Sequence, residues 1–301
     1  MSPHEKIAVG KKRVWPRKPY VPGSNPPNEF VGRDDELMMI SAAWLSGMYD
    51  QPLSPLLVGP PGCGKNRLVY EMAKRMQLDL YVCQGYDNIS AEELACSMIP
   101  ADEGNGTIDF IMSALATAML TGGICFIDEI GKFPGKALAL LASVLDDRRY
   151  IDLDLIGERI HAHPRFRFIA ATNSDDLETL PDFVRSRLFP VIRVERPKPE
   201  MINAIVSKQF PDQQAAVGRL LHLFWRSWDK HAAEDDTPSP RDVVQIFSLA
   251  IKLADYGLST TNEWQSLPPT PQPISVDDRV GRAHLERALE QFLAQREMAS
   301  C

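Results

Sequence analysis

Short, nearly uninterrupted apolar runs alternate with amphipathic stretches over residues 29 to about 197. Leu56-Leu57-Val58, Leu80-Tyr81-Val82, Ile124-Cys125-Phe126-Ile127, Phe166 to Ala171 and Val191 to Val194 read as strands. Continuous apolar character is what parallel strands buried on both faces require. Between the first two, Leu68, Val69, Met72, Ala73 and Met76 fall on one face of a helix starting near Lys65,. Strands separated by helical crossovers predict an α/β domain with a parallel sheet. Beyond Pro197 the strand pattern stops. Helices are expected over 201–210, 214–231, 241–255 and 276–299, with a Pro/Ser/Thr-rich loop at 258–273. Phe224, Trp225 and Trp228 read as packing residues, and Leu285, Ala288, Leu289, Phe292 and Leu293 share one face of the last helix,. Residues 1–28 are Pro-rich and basic, ending in Pro22-Gly23-Ser24-Asn25-Pro26-Pro27, and read as an extended tail,. The expected layout is a tail (1–28), an α/β core (29–197) and a helical region (198–301).

Composition narrows the picture without naming a function. The 301 residues are 44% apolar and 24% charged, which excludes disorder over the whole chain,. The 33 Lys and Arg against 40 Asp and Glu give a net charge of −7, so the chain is not a polybasic clamp,. The basic tail cluster (Lys11, Lys12, Arg13, Arg17, Lys18) suits either a solubilising arm that packs on its own or a neighbouring subunit, or contacts with phosphate backbones or an acidic partner,. Five cysteines without a Cys-x-x-Cys pair argue for reduced thiols, and the charged N-terminus has no signal-peptide core,. Phe110 to Ile127 is uncharged, but Ser113, Thr117, Thr121 and Gly122-Gly123 interrupt it. A helix, a turn and a short strand fit it better than a membrane span, and a cytoplasmic location is expected. His161 and His163 have no further ligands nearby in the sequence, so zinc is not expected,.

Gly59-Pro60-Pro61-Gly62-Cys63-Gly64-Lys65 fills the first seven positions of a Walker A loop. It follows an apolar strand and opens a helix, the context the motif needs. Glycines let successive N–H groups turn inward on phosphate oxygens, the helix N-terminus adds positive potential, and Lys65 reaches the β- and γ-phosphates. The eighth position, ordinarily Ser or Thr on Mg²⁺, is Asn66, followed by Arg67,. An amide oxygen can ligate Mg²⁺ but lies one bond farther out, so weaker metal binding or turnover is expected. Ile124 to Glu129 reads as Walker B: Asp128 would hold Mg²⁺ with Asn66, and Glu129 would act as general base,.

On these residues the chain resembles the AAA+ ATPases, within them the MoxR-like, dynein-related branch, over about 29–255. The resemblance implies a P-loop core with a small helical lid. It implies that Phe30-Val31-Gly32-Arg33-Asp34-Asp35-Glu36-Leu37 lies near the adenine, with Val31 as a nucleotide contact. Ala171-Thr172-Asn173 is similar to sensor 1, which would let Asn173 orient the lytic water. Arg185-Ser186-Arg187-Leu188 matches the placement of an arginine finger acting in trans, Arg187 being the first candidate and Arg185 the second,. Ser239-Pro240-Arg241 resembles sensor 2, which would bring Arg241 onto the γ-phosphate. Two expected hairpins, at 99–108 and 150–162, resemble insertions of this branch that line a ring's pore or face; simple edge decoration is the other reading.

The resemblance further implies ATP/ADP and Mg²⁺ as cofactors, a homo-oligomeric, hexameric ring, and a protein client of the kind that carries a von Willebrand factor A domain. Two other readings stay open. Asn66 admits a nucleotide-binding switch or scaffold with impaired hydrolysis, although Glu129, Asn173 and the arginines have no use in a pure binder. The basic tail and Arg148-Arg149 keep a DNA- or RNA-engaging motor in view, against which the net charge counsels,.

Overall fold

Five strands pair in one all-parallel sheet, in the order β11 (Val191–Arg193), β3 (Leu56–Val58), β10 (Arg167–Thr172), β7 (Ile124–Asp128) and β4 (Leu80–Gln84). The computed structural model describes residues 5–22, 30–47, 50–101, 108–211, 214–231, 237–255 and 281–300. The central strands are apolar because both faces are covered: Leu56, Leu57, Ile124, Cys125, Phe126 and Ile127 are all fully buried. Register aligns their ends, with Thr172 opposite Val58 and Gln84 opposite Asp128. Because every strand runs the same way, the segments that follow Val58, Gln84, Asp128 and Thr172 all emerge on one edge of the sheet.

The chain divides into two units, Met1–Gly23 with Arg33–Glu195 and Ser24–Gly32 with Arg196–Cys301. In the first, the sheet is joined by helices α1 (Asp34–Trp44), α2 (Lys65–Met76), α3 (Ala91–Ala95), α4 (Ala114–Thr121), α5 (Gly135–Leu145) and α6 (Asp182–Arg185). The uncharged stretch resolves as expected, with one addition. Phe110 to Met112 end a strand, Ser113 caps α4 by accepting from the Ala116 N–H at 3.0 Å, Gly122 stops the helix at φ +81°, and β7 follows. Among the described residues no helix is long and apolar enough to cross a membrane.

Both expected hairpins form, β5 (Cys96–Pro100) with β6 (Ile108–Met112) and β8 (Tyr150–Leu153) with β9 (Glu158–His161). The turn expected at Glu103-Gly104-Asn105-Gly106 lies outside the described residues. The segment expected to be an extended tail instead folds: β1 (Ile7–Val9) pairs antiparallel with β2 (Lys12–Val14). Proline richness misled here, because the eight residues that make the hairpin contain none, and Gly10 at φ +54° turns the chain between its two strands,. Lys6 pairs with Asp109 at 2.7 Å, Trp15 Nε1 donates to the same carboxylate at 3.1 Å, and Val14 is fully buried. Farther along, the arm covers the sheet's β4 edge, where the Tyr20 N–H donates to the Leu80 carbonyl at 2.6 Å,.

The second unit is helical in its described residues: α7 (Pro199–Gln209), α8 (Gln214–His231), α9 (Pro240–Asp255) and α10 (Arg282–Ser300). Phe224 is fully buried and rings it make contact with Trp225, Trp228 and Phe247, at centroid distances of 5.2, 5.7 and 5.9 Å. The expected loop, 258–273, and the start expected for the last helix lie outside the described residues. Ser239 opens α9 with a reciprocal cap: its hydroxyl accepts from the Asp242 N–H at 3.2 Å, and its own N–H donates to the Asp242 carboxylate at 3.0 Å,. Pro240 then fills the first helical position, where no N–H is needed. A Ser239→Ala chain is expected to lose about 1 kcal/mol of stability, read as a lower denaturant midpoint with an unchanged slope.

Candidate nucleotide site

The site begins where β3 ends. Gly59 cannot be larger, because a Cβ there would meet the Val194 carbonyl oxygen at 2.1 Å. Gly64 sits at φ +106°, a conformation open to glycine, and α2 starts at the next residue,. Among the described residues no protein acceptor takes the N–H groups of Gly62, Cys63 or Gly64. These are donors suited to an anion, at the positive end of a helix. The geometry therefore fits the phosphates of a nucleotide.

Lys65 is buried, and its Nζ donates to the Gly59 and Pro60 carbonyls at 2.6 and 3.1 Å and to Asn173 Oδ1 at 3.2 Å. Lys65 and Asn173 are far apart in sequence and meet because β10 lies beside β3. Asp128 lies one strand farther over and is joined to α2 by Asn66, whose Nδ2 donates to its Oδ2 at 2.6 Å. The other oxygen of Asp128 accepts from the Glu129 N–H at 3.0 Å. Asp128 thus offers a carboxylate that could hold Mg²⁺. Asn66 turns its nitrogen toward that carboxylate, and a nitrogen donor does not fit the metal-ligand role expected of it. Arg67 follows Asn66 on α2 and is exposed.

Glu129 has φ +55°, which turns its side chain out of the strand direction. Its Oε2 accepts from Gln84 Nε2 at 2.8 Å and from Lys132 Nζ at 2.9 Å. Neither partner was among the residues singled out from sequence. Gln84 ends β4 opposite Asp128, and only strand order brings it there. Gly85 lets the chains approach, since a Cβ would meet the Glu129 carbonyl at 2.1 Å. Arg33 is a third addition: its guanidinium donates to the Cys63 carbonyl at 3.1 Å, to the Glu195 carbonyl and to Glu36. It braces the loop from the segment expected beside the adenine.

Not every expected residue gathers here. Arg185 pairs with Asp182 in an exposed i,i+3 contact. Arg187 Nη1 donates to the Phe183 carbonyl, Nη2 lies 3.9 Å from Asp146, and its buried Nε has no hydrogen-bond partner. None of these contacts reaches Lys65, Asp128 or Glu129. Val31 and Arg241 belong to the second unit, Arg241 exposed in the first turn of α9. Cys63, Cys83, Cys96 and Cys125 are free thiols, and burial pushes Cys83 up to about 11. Among the described residues no group of three or more His, Cys, Asp and Glu side chains could hold a metal.

Residues 54–188 match the family model of the AAA domain, dynein-related subfamily. The chain is 32% identical over 183 residues to protein NorQ of Paracoccus denitrificans, covering 60% of this chain and 64% of that protein, so it spans a little under two thirds of that relative. It is 28% identical to protein CbbQ of Hydrogenophilus thermoluteolus, covering 78% and 86% of the two chains. It is 29% identical to the denitrification regulatory protein NirQ of Stutzerimonas stutzeri, covering 64% and 67%. In fold it is similar to the Thermotoga maritima RuvB Holliday junction branch migration motor, at TM-score 0.54 and 17% identity over 89% of this chain and 72% of that one. That identity carries the fold alone. A parallel sheet, a glycine loop closing on a buried lysine and adjacent carboxylates two strands away agree with the family match: residues 54–188 carry an AAA domain of the dynein-related subfamily.

Proposed function

We propose that the protein is an ATPase that assembles into a ring and uses ATP hydrolysis to remodel or activate a partner protein. The observation that carries the reading is the convergence of Lys65, Asn173, Asp128 and Glu129 on one sheet edge beside unpaired loop N–H groups. Loop amides and Lys65 bind and neutralise the phosphates. Asn173 lies against Lys65, where its amide can orient a water beside the terminal phosphate. Glu129 takes that water's proton, with Gln84 holding the carboxylate in place,. Mg²⁺, held by Asp128, would supply charge neutralisation across the phosphates. Arg187, which makes no contact with its own subunit's site residues, is proposed to serve the neighbouring subunit's nucleotide.

The similarity to NirQ, named as a denitrification regulatory protein, supports a role exerted on another protein. A client with a von Willebrand factor A domain and a hexameric ring are the specific forms proposed. The test is steady-state Mg-ATP hydrolysis over a range of protein concentrations, with Asn66→Thr alongside. Turnover per chain rises with concentration if the site is completed between subunits. A greater rate in the threonine variant shows that Asn66 slows the unmodified enzyme. Silence in both, with nucleotide still bound, favours the switch or scaffold reading.

A further inference from the structure

Arg33 breaks the local rules for its place in the chain. It is the N-cap residue of α1, where Ser, Thr, Asp or Asn is favoured, and it makes no side-chain cap,. A cation there also opposes the positive end of the helix. Its backbone lies in the left-handed region, at φ +67°, which costs free energy for a residue with a Cβ,. Its side chain is nonetheless only 11% exposed and engaged at both terminal nitrogens. Nη1 pairs with Glu36 at 2.8 Å, and Nη2 donates to the Cys63 carbonyl at 3.1 Å and to the Glu195 carbonyl. Disfavoured local choices of this kind persist where another contact compensates, and here that contact is the phosphate loop.

The Cys63 carbonyl matters because of the peptide it belongs to. The Cys63–Gly64 bond is trans, so its C=O and the Gly64 N–H point in opposite directions in one rigid plane,. With the carbonyl held on Arg33, the Gly64 N–H is turned to the other side of the loop, and it has no protein acceptor among the described residues. The segment that supplies the Glu195 carbonyl also backs the start of the loop. The Val194 N–H donates to the Val58 carbonyl at 2.7 Å, and the Val194 carbonyl leaves no room for a Cβ on Gly59. We propose that Arg33 is a positioning residue of the phosphate loop, which presents the Gly64 N–H to the phosphates by tying the Cys63 carbonyl to the 194–195 segment. It thereby sets nucleotide affinity and takes no part in hydrolysis. Both of its terminal nitrogens are taken, so it acts through the peptide and is not itself a phosphate ligand. The inference rests on the nucleotide-site reading above and extends it to a residue outside the Walker motifs.

The experiment is binding of a fluorescent ATP analogue to the full chain, with ADP as competitor, for the unmodified protein, Arg33→Met and Arg33→Lys. Single-turnover hydrolysis at saturating Mg-ATP is measured on the same preparations. Methionine keeps an apolar stem and removes the guanidinium. Arg33→Met is expected to raise the dissociation constants for the analogue and for ADP by a common factor of about 5 to 30, the scale of one charge-assisted hydrogen bond. The saturated rate is expected to stay within about threefold, because a contact made equally in ground and transition states moves KM and leaves kcat. Lysine keeps the charge without the planar fork that spans two carbonyls, so Arg33→Lys should lie closer to methionine than to the unmodified chain. Undiminished affinity in Arg33→Met, or full affinity in Arg33→Lys, overturns the inference while leaving the nucleotide site standing. A saturated rate that falls in step with affinity also overturns it, since Arg33 then supports the site as a whole. No analogue binding by the unmodified chain overturns both readings. Thermal melts establish folding; if Arg33→Met melts below the assay temperature, Arg33→Lys carries the comparison.

Discussion

A Glu129→Gln chain is expected, on the proposed function, to bind ATP as well as the unmodified chain and to turn it over about 10²- to 10⁴-fold more slowly, the range for loss of a general base. The amide keeps the size of the carboxylate and retains an oxygen to accept from Gln84 and Lys132, which bond Glu129 at 2.8 and 2.9 Å. What it loses is basicity. The Lys132 pair is partly exposed on both sides, so its contribution to stability is small, on the order of 0–1 kcal/mol, and the fold is not expected to suffer,. Single-turnover hydrolysis and analogue binding on the same preparation separate the two effects. Turnover within tenfold of the unmodified enzyme would place the base elsewhere.

Arg187→Ala is expected to lower turnover by about 10³-fold or more, the scale of an arginine finger, without weakening nucleotide binding by the isolated subunit. Its guanidinium touches Phe183 and approaches Asp146, and makes no contact with Lys65, Asp128 or Glu129. Arg185, paired with Asp182 at the surface, is expected to tolerate alanine with a change of about threefold or less,. Mixing gives the decisive measurement. Arg187→Ala subunits keep Glu129, and Glu129→Gln subunits keep Arg187. In a closed ring mixed one to one, about a quarter of the interfaces then combine both intact groups. Recovery of activity on mixing two silent variants requires action in trans; persistent silence would assign Arg187 to its own subunit's structure.

Local chemistry made much of this protein legible in sequence. The strand–glycine loop–helix of 56–76 is written in a contiguous segment: apolar residues bury, glycines take conformations closed to other residues, and Lys65 follows at fixed spacing,. The same holds for the Walker B strand, for the cap at Ser239, and for the two inserted hairpins with their alternating faces. The arm was misjudged because its prolines dominate the composition, whereas its hairpin depends on docking Val14 and Trp15 against the β5–β6 insertion.

Strand order is what sequence could not give. Placing β10 between β3 and β7 brings Asn173 to Lys65, and placing β4 beside β7 brings Gln84 to Glu129. Each pairing joins residues distant in the chain whose only link is sheet register. The direction of the Asn66 amide is of the same kind. Its residue type is plain in the sequence, but that its nitrogen meets Asp128 depends on α2 packing against the end of β7. Sequence thus determined the chemical groups and their local backbone, because those depend on near neighbours. Tertiary structure alone decided which groups share hydrogen bonds, because that depends on long-range packing.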